Sequence, residues 1–249
     1  MLVVVAALVG LVVGSFLNVV IHRVPRRESV AWPASRCPHC GEPIRPWDNV
    51  PLLSYLLLRG RCRNCGGRIS ARYLAVEGAT GLLFGWAAYD FGFVLALLPA
   101  LVLICALVSL AIIDLEHRLL PNVIVGPAAL AGLVLSILAD PARWWTYPAS
   151  ALVLAAAMLG LALIRPGGMG MGDVKMAGML GAFLGPYAAL AVFLGALIGA
   201  VTGGLLMAAG KAQRRSALPF GTFMALGGLV SLFAGPELWG AYLDLVGAS

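Results

Sequence analysis

Two carboxylates sit where carboxylates are costly. Asp114 closes a hydrophobic stretch in Leu110-Ala-Ile-Ile-Asp-Leu-Glu-His-Arg-Leu-Leu-Pro121. Asp173 stands at the mouth of another, in Arg165-Pro-Gly-Gly-Met-Gly-Met-Gly-Asp-Val-Lys175. An ionisable group at the edge of hydrocarbon marks a functional site by default. Two such acids brought together can share one proton, one titrating low and the other high, and that split lets a carboxylate pair activate water. Which acid holds the proton is not assigned, because a coupled pair titrates as a unit. Asp173 could also simply cap a helix, which Asp does well. Gly170 and Gly172 carry no Cβ, which gives an extended substrate backbone room to approach. A phosphate cradle is the poorer reading of these glycines, since an acid follows them.

The second constellation is made of thiols. Cys37-Pro-His-Cys40-Gly and Cys62-Arg-Asn-Cys65-Gly are two CxxCG knuckles. Their spacing suits four thiolates around a tetrahedral Zn²⁺, and a shell closed by four protein ligands is structural. Two disulfides or four free thiols are the alternatives, and a cytoplasmic location disfavours the disulfides. His39 lies inside the first knuckle, but four thiols already fill the shell. Cys105 is alone in an apolar stretch and reads as a small buried hydrophobe.

The surrounding chain is built for a bilayer. Of 249 residues 61% are hydrophobic and 11% charged, against nearly half and about a quarter in soluble domains. The fold class is therefore all-α, a polytopic membrane protein of about eight helices, near 2–21, 73–90, 92–113, 121–139, 147–164, 174–186, 188–209 and 218–240. Segments 1–21, 22–72 and 73–249 divide it into a first membrane helix, a cytoplasmic zinc-binding domain and a transmembrane catalytic domain. The stretch Val50–Leu58 is too short to span and is expected at the membrane surface. With the N-terminus outside, 16 of the 17 Lys and Arg fall in inner loops and only Arg143 lies outside, as the positive-inside rule requires. Both acids then share the cytoplasmic side. The first helix is followed by basic residues and no cleavage site, so it reads as retained. The net charge of +6 thus serves topology. Nucleic-acid binding is excluded as a reading, for want of aromatics interleaved with the basic residues.

Among the other acids, Glu77 opens the second span beside Arg72, and a structural ion pair is expected there. His117 sits three residues after Asp114, on the same helical face, and reads as a solvated loop residue.

In order along the chain, four elements resemble the prepilin leader peptidases, membrane aspartyl proteases of the GxGD type. Gly14-Ser-Phe-Leu-Asn-Val-Val-Ile-His-Arg-Val-Pro25 is similar to their N-terminal signature, and the paired knuckles to their zinc-bearing subset. Asp114 with Leu120-Pro121-Asn122 resembles the first acid, and Gly170-Met-Gly172-Asp173-Val-Lys175 the second. Leu218-Pro-Phe-Gly-Thr-Phe223 resembles a C-terminal stretch in which Thr222 replaces the usual proline; this departure is expected to touch only a turn. The resemblance implies catalysis by Asp114 and Asp173, with Gly170, Gly172, Lys175, Pro121 and Asn122 in the active-site loops. It implies cleavage of the basic leader from type IV prepilins or type II secretion pseudopilins in the bacterial inner membrane. It also implies N-methylation of the new amine by S-adenosylmethionine, with His22, Arg23 and Pro25 associated with that step. A peptidase lacking the methyltransferase, a transporter using intramembrane acids and a zinc-bearing scaffold are the competing readings. The oligomeric state is not legible.

Overall fold

The computed structural model describes residues 1–164, 169–210 and 218–245. Arg165, Lys211, Arg214 and Arg215, which contribute to the charge partition, lie outside the described residues. Eight long helices occupy the eight expected stretches: α1 (Leu2–Arg23), α3 (Ala71–Phe91), α4 (Leu97–His117), α5 (Asn122–Ala139), α6 (Thr146–Ile164), α7 (Met171–Leu184), α8 (Ala188–Ala208) and α9 (Phe220–Leu245), with a short α2 (Leu53–Leu57) between α1 and α3. Among the described residues the only extended pairings are two isolated bridges, Arg36 with Pro43 and Arg61 with Arg68.

By length and composition, six stretches among the described residues are long and apolar enough to cross a membrane: Leu2–Arg26, Leu97–His117, Asn122–Ala139, Thr146–Ile164, Met171–Ala208 and Phe220–Leu245; the count of eight spans stays an expectation. Two physical reasons account for the difference. Helix α3 carries Arg72 and Glu77 in its first turns. Helix α7 has only 14 residues, about 21 Å at 1.5 Å each, and runs into α8 through the tight turn Gly185–Tyr187.

By contacts the chain forms two compact units, Met1–Val94 and Leu95–Ser249, whereas the division into 1–21, 22–72 and 73–249 follows chain polarity. In the first unit α1 and α3 pack closely along their length. A Cβ on Gly10 or Gly14 would come within 2.8 Å of α3, so these glycines let the two backbones meet. In the second unit α4, α5, α7 and α9 surround a core containing Leu103, Leu107, Leu110, Met176, Leu180 and Met224, while α8 packs on α9 and α6 on α7. Of the small residues in these spans, Gly181 lets α7 meet the α6 backbone at Ala151, whereas nothing lies within 4 Å of a Cβ on Gly78.

Candidate active site and metal site

Asp114 lies inside the last turn of α4, one turn deeper in the helix than the apolar run implies. Its carbonyl accepts the N–H of Arg118 at 2.8 Å, and Arg118 at φ 52 in the left-handed region ends the helix. Asp114 is 5% exposed. Its Oδ2 accepts the backbone N–H of Thr222 at 2.8 Å. Thr222 is the third residue of α9, so its N–H has no partner inside its own helix. The Thr222 hydroxyl lies 2.9 Å from the Ala111 carbonyl and 3.3 Å from Asp114 Oδ2.

Asp173 is also held by a helix N-terminus, its own. It is the third residue of α7, and the N-cap is Gly170 rather than Asp173. Its Oδ2 accepts the Gly170 N–H at 3.1 Å, and its own N–H donates to the Gly170 carbonyl at 3.0 Å. Each acid thus meets the partial positive end of a helix, which favours a carboxylate. Helices α4 and α7 touch, and both acids belong to the second compact unit.

One side chain ties these pieces together. Leu120, buried in the loop between α4 and α5, fills the notches left by two glycines. A Cβ on Gly172 would sit 2.9 Å from Leu120 Cβ, and one on Gly221 would sit 2.9 Å from Leu120 Cδ2 and 3.1 Å from Asp114 Oδ2. At Gly172 the space is therefore taken by Leu120. At Gly170 the neighbours among the described residues within 4 Å of such a Cβ are Asp173 Oδ2, at 3.4 Å, and the Gly172 nitrogen, at 3.9 Å. Lys175 Nζ donates to Asn122 Oδ1 at 3.0 Å, linking α7 to the start of α5, whose N-cap is Pro121. His117 is exposed, 3.9 Å from Glu116.

Thr222 is the neighbour of Asp114 that sequence reasoning undervalued. Its expected role in a turn alone is corrected, because it supplies Asp114 with a backbone donor. The available signal was its place in the first turn of a helix, where unpaired N–H groups collect.

In the first unit the thiols of Cys37, Cys40, Cys62 and Cys65 lie within 4.8 Å of one another and could hold a metal ion; His39 is not in the group. The two knuckles have the same build. Gly41 and Gly66, at φ +71 and +69, turn the chain so that their N–H groups reach the carbonyls of Cys37 and Cys62, each at 2.9 Å. Backbone N–H groups of Cys40 and then His39 favour the Cys37 thiolate and pull that thiol down to about 7 against the opposing effect of burial. Arg63 braces the second knuckle by donating to both oxygens of Asp48 at 2.6 to 3.0 Å.

A cavity of about 840 Å³ opens between the knuckles and the ends of α1 and α3 in this unit. His22 and Arg23 line it, and Pro25 is absent from its described lining. Arg23 donates to the carbonyls of Ser29 and Pro33 at 2.9 and 2.7 Å. Glu77 also lines the cavity and accepts the Leu52 N–H at 2.9 Å.

Residues 8–91 match the bacterial peptidase A24 N-terminal domain, and residues 101–207 match the type IV leader peptidase family. Three relatives are each called prepilin leader peptidase/N-methyltransferase. One from Stutzerimonas stutzeri is 37% identical over 96% of this chain and 93% of its own. One from Myxococcus xanthus is 46% identical over 83% and 64%, and one from Bacillus subtilis is 36% identical over 95% and 96%. No solved structure matches the chain. These matches cover both units from the first helix through α8, and the chain belongs to the type IV leader peptidase family.

Proposed function

We propose that this protein removes the basic leader of type IV prepilins and type II secretion pseudopilins and then N-methylates the exposed amine. The observation that carries the reading is the pair Asp114 and Asp173, each bound to a helix N-terminus in one unit. One carboxylate takes a proton from water while the other, protonated, polarises the scissile carbonyl. The water oxygen adds to that carbon, and the tetrahedral adduct collapses as the leaving amine regains a proton. Gly170 carries no Cβ to meet the substrate strand, and the Lys175–Asn122 contact fixes the loops on either side.

The four thiols fit zinc. A tetrahedron with Zn–S arms of about 2.3 Å has edges of about 3.8 Å, and Cys37 Sγ lies 3.8 Å from Cys65 Sγ. Four thiolates leave no open position, so a zinc ion held by them would supply folding energy to residues 22–72. For the methyl donor, the first unit's cavity falls in the volume range of small-molecule sites. Glu28 and Glu77 in its lining suit the sulfonium and ammonium charges of S-adenosylmethionine, and Arg23 and Arg72 suit its carboxylate. When bound, that molecule supplies an electrophilic methyl group. The charge partition supports a bacterial cytoplasmic-membrane protein of eight spans, with its N-terminus outside and both acids facing the cytoplasm.

Purified protein in detergent, incubated with a prepilin, is expected to cut after the leader glycine. With S-adenosylmethionine added, the product should gain one methyl group at its new N-terminus. An intact prepilin under both conditions would refute the reading.

A further inference from the structure

Helix α2 lies deeper along the first unit than its place in a polar segment suggests. The N–H of Leu52, its N-cap, donates to Glu77 Oε2 at 2.9 Å. Glu77 is buried in α3, and a Cβ on Gly14 of α1 would lie 2.8 Å from the Glu77 Cα. That level is about 9 Å past the start of α3 at Ala71 and about 13 Å short of the end of α1 at Arg23, at 1.5 Å per residue. The Glu77 side chain reaches back toward the start of α3 by one turn at most, about 5 Å. Leu52 therefore still begins α2 inside the ends of the helix pair. At this level α1 exposes Val12 and Phe16, as a helix facing hydrocarbon does.

The side chains of α2 face outward in the same way. Leu53, Leu56 and Leu57 are exposed, Leu57 at 81%, while Ser54 is buried. The N–H groups that a helix start leaves unpaired find partners inside the protein, Leu52 on Glu77 and Val50 on Ser54 Oγ at 3.1 Å. Backbone at membrane depth requires such internal partners. Past the helix, Arg59 and Gly60 take left-handed φ values of 52 and 65 and turn the chain back. The Gly60 carbonyl then accepts the Ile69 N–H at 2.8 Å, just before α3 begins, which brings Arg59 and Arg61 to the level of the helix ends. Both arginines are exposed, and neither lines the cavity. Leucines below and arginines above are the arrangement of an element lying in a bilayer interface. We propose that α2 is inserted in the leaflet at the Arg23 end of α1, with Leu53, Leu56 and Leu57 among acyl chains and Arg59 and Arg61 on anionic headgroups. Lipid is thus the occupant of this apolar face, and α2 holds residues 22–72 against the bilayer at a third point besides α1 and α3.

The test uses full-length protein in vesicles of phosphatidylcholine and phosphatidylglycerol in equal parts, with photoreactive benzoylphenylalanine placed singly at Leu56, Leu57 or Phe16. Phe16, exposed on α1 within its apolar stretch, is the control for hydrocarbon. Illumination is expected to give phospholipid adducts at Leu56 and Leu57 as at Phe16, read by mass spectrometry. The lipid captured at the two leucines should be enriched in phosphatidylglycerol. Arg59→Gln should lower that enrichment about fivefold, the effect of one basic residue at an anionic surface. Adducts at Phe16 with none at Leu56 or Leu57 would overturn the proposal. Capture of a second copy or of another polypeptide at those sites would overturn it too, because the leucines would then face protein. An unchanged lipid preference in both Arg59→Gln and Arg61→Gln would overturn the headgroup contact.

Discussion

Gly172→Ala places a methyl group 2.9 Å from Leu120 Cβ, about 0.6 Å short of the ~3.5 Å at which carbon atoms rest in contact. Neither partner can turn away by a side-chain rotation, since both atoms are attached directly to backbone. The opening must come from the first turn of α7 or from the loop before α5, and Asp173 is the next residue in that turn. A displacement of about 1 Å at a reacting group costs on the order of 100-fold in rate. About 0.6 Å should therefore cost on the order of 10-fold in kcat, or about 1.4 kcal/mol of activation free energy, with the protein still inserted. Gly221→Ala meets the same side chain differently, at its flexible Cδ atoms and at Asp114 Oδ2. Leu120→Ala removes the Cδ atoms and keeps the Cβ. In a double-mutant cycle it should relieve part of the loss at Gly221 and none at Gly172. Initial rates of prepilin cleavage, read by electrophoretic shift, supply the numbers. A Gly172→Ala enzyme at wild-type rate, or relief at Gly172 matching that at Gly221, would show that Leu120 does not set the spacing of the acids.

The remaining predictions address the acids, the metal and the topology. Asp114→Asn and Asp173→Asn should each abolish cleavage while membrane-inserted protein stays abundant, and near-normal processing by either variant would remove that residue from the pair. Cys37→Ser or Cys62→Ser should release zinc, measured by metal analysis, and lower methyl transfer at least as much as cleavage, because the thiol site and the cavity share one unit. Purified wild type without zinc and with its thiols disulfide-bonded would exclude the metal site. Single cysteines at Ser249 and Ala142 should react with an impermeant reagent from outside, and one at Ser216 should not; outside labelling at Ser216 would separate the basic loops from the cytoplasm.

Much of this protein is legible in local sequence. The two acids stand out because charge is rare in apolar stretches, the thiols because CxxCG repeats at ligand spacing, and the helices because apolar runs end at glycine, proline or charge. These signals need no knowledge of what lies across the fold. The span count was less legible, since the charges in α3 and the short α7 leave composition unable to say whether a helix crosses. Nor could composition say which faces are packed: lipid and protein interior are both apolar, so hydrophobic periodicity does not separate Leu107, fully buried, from Leu152, largely exposed. Three decisive features came only from tertiary structure. Thr222 reaches Asp114 across 108 residues of chain, Leu120 seats against Gly172 and Gly221, and Glu77 of α3 holds the start of α2. Each depends on two or more helices meeting at one point. That meeting is set by how their surfaces pack, and no single segment of the sequence encodes it.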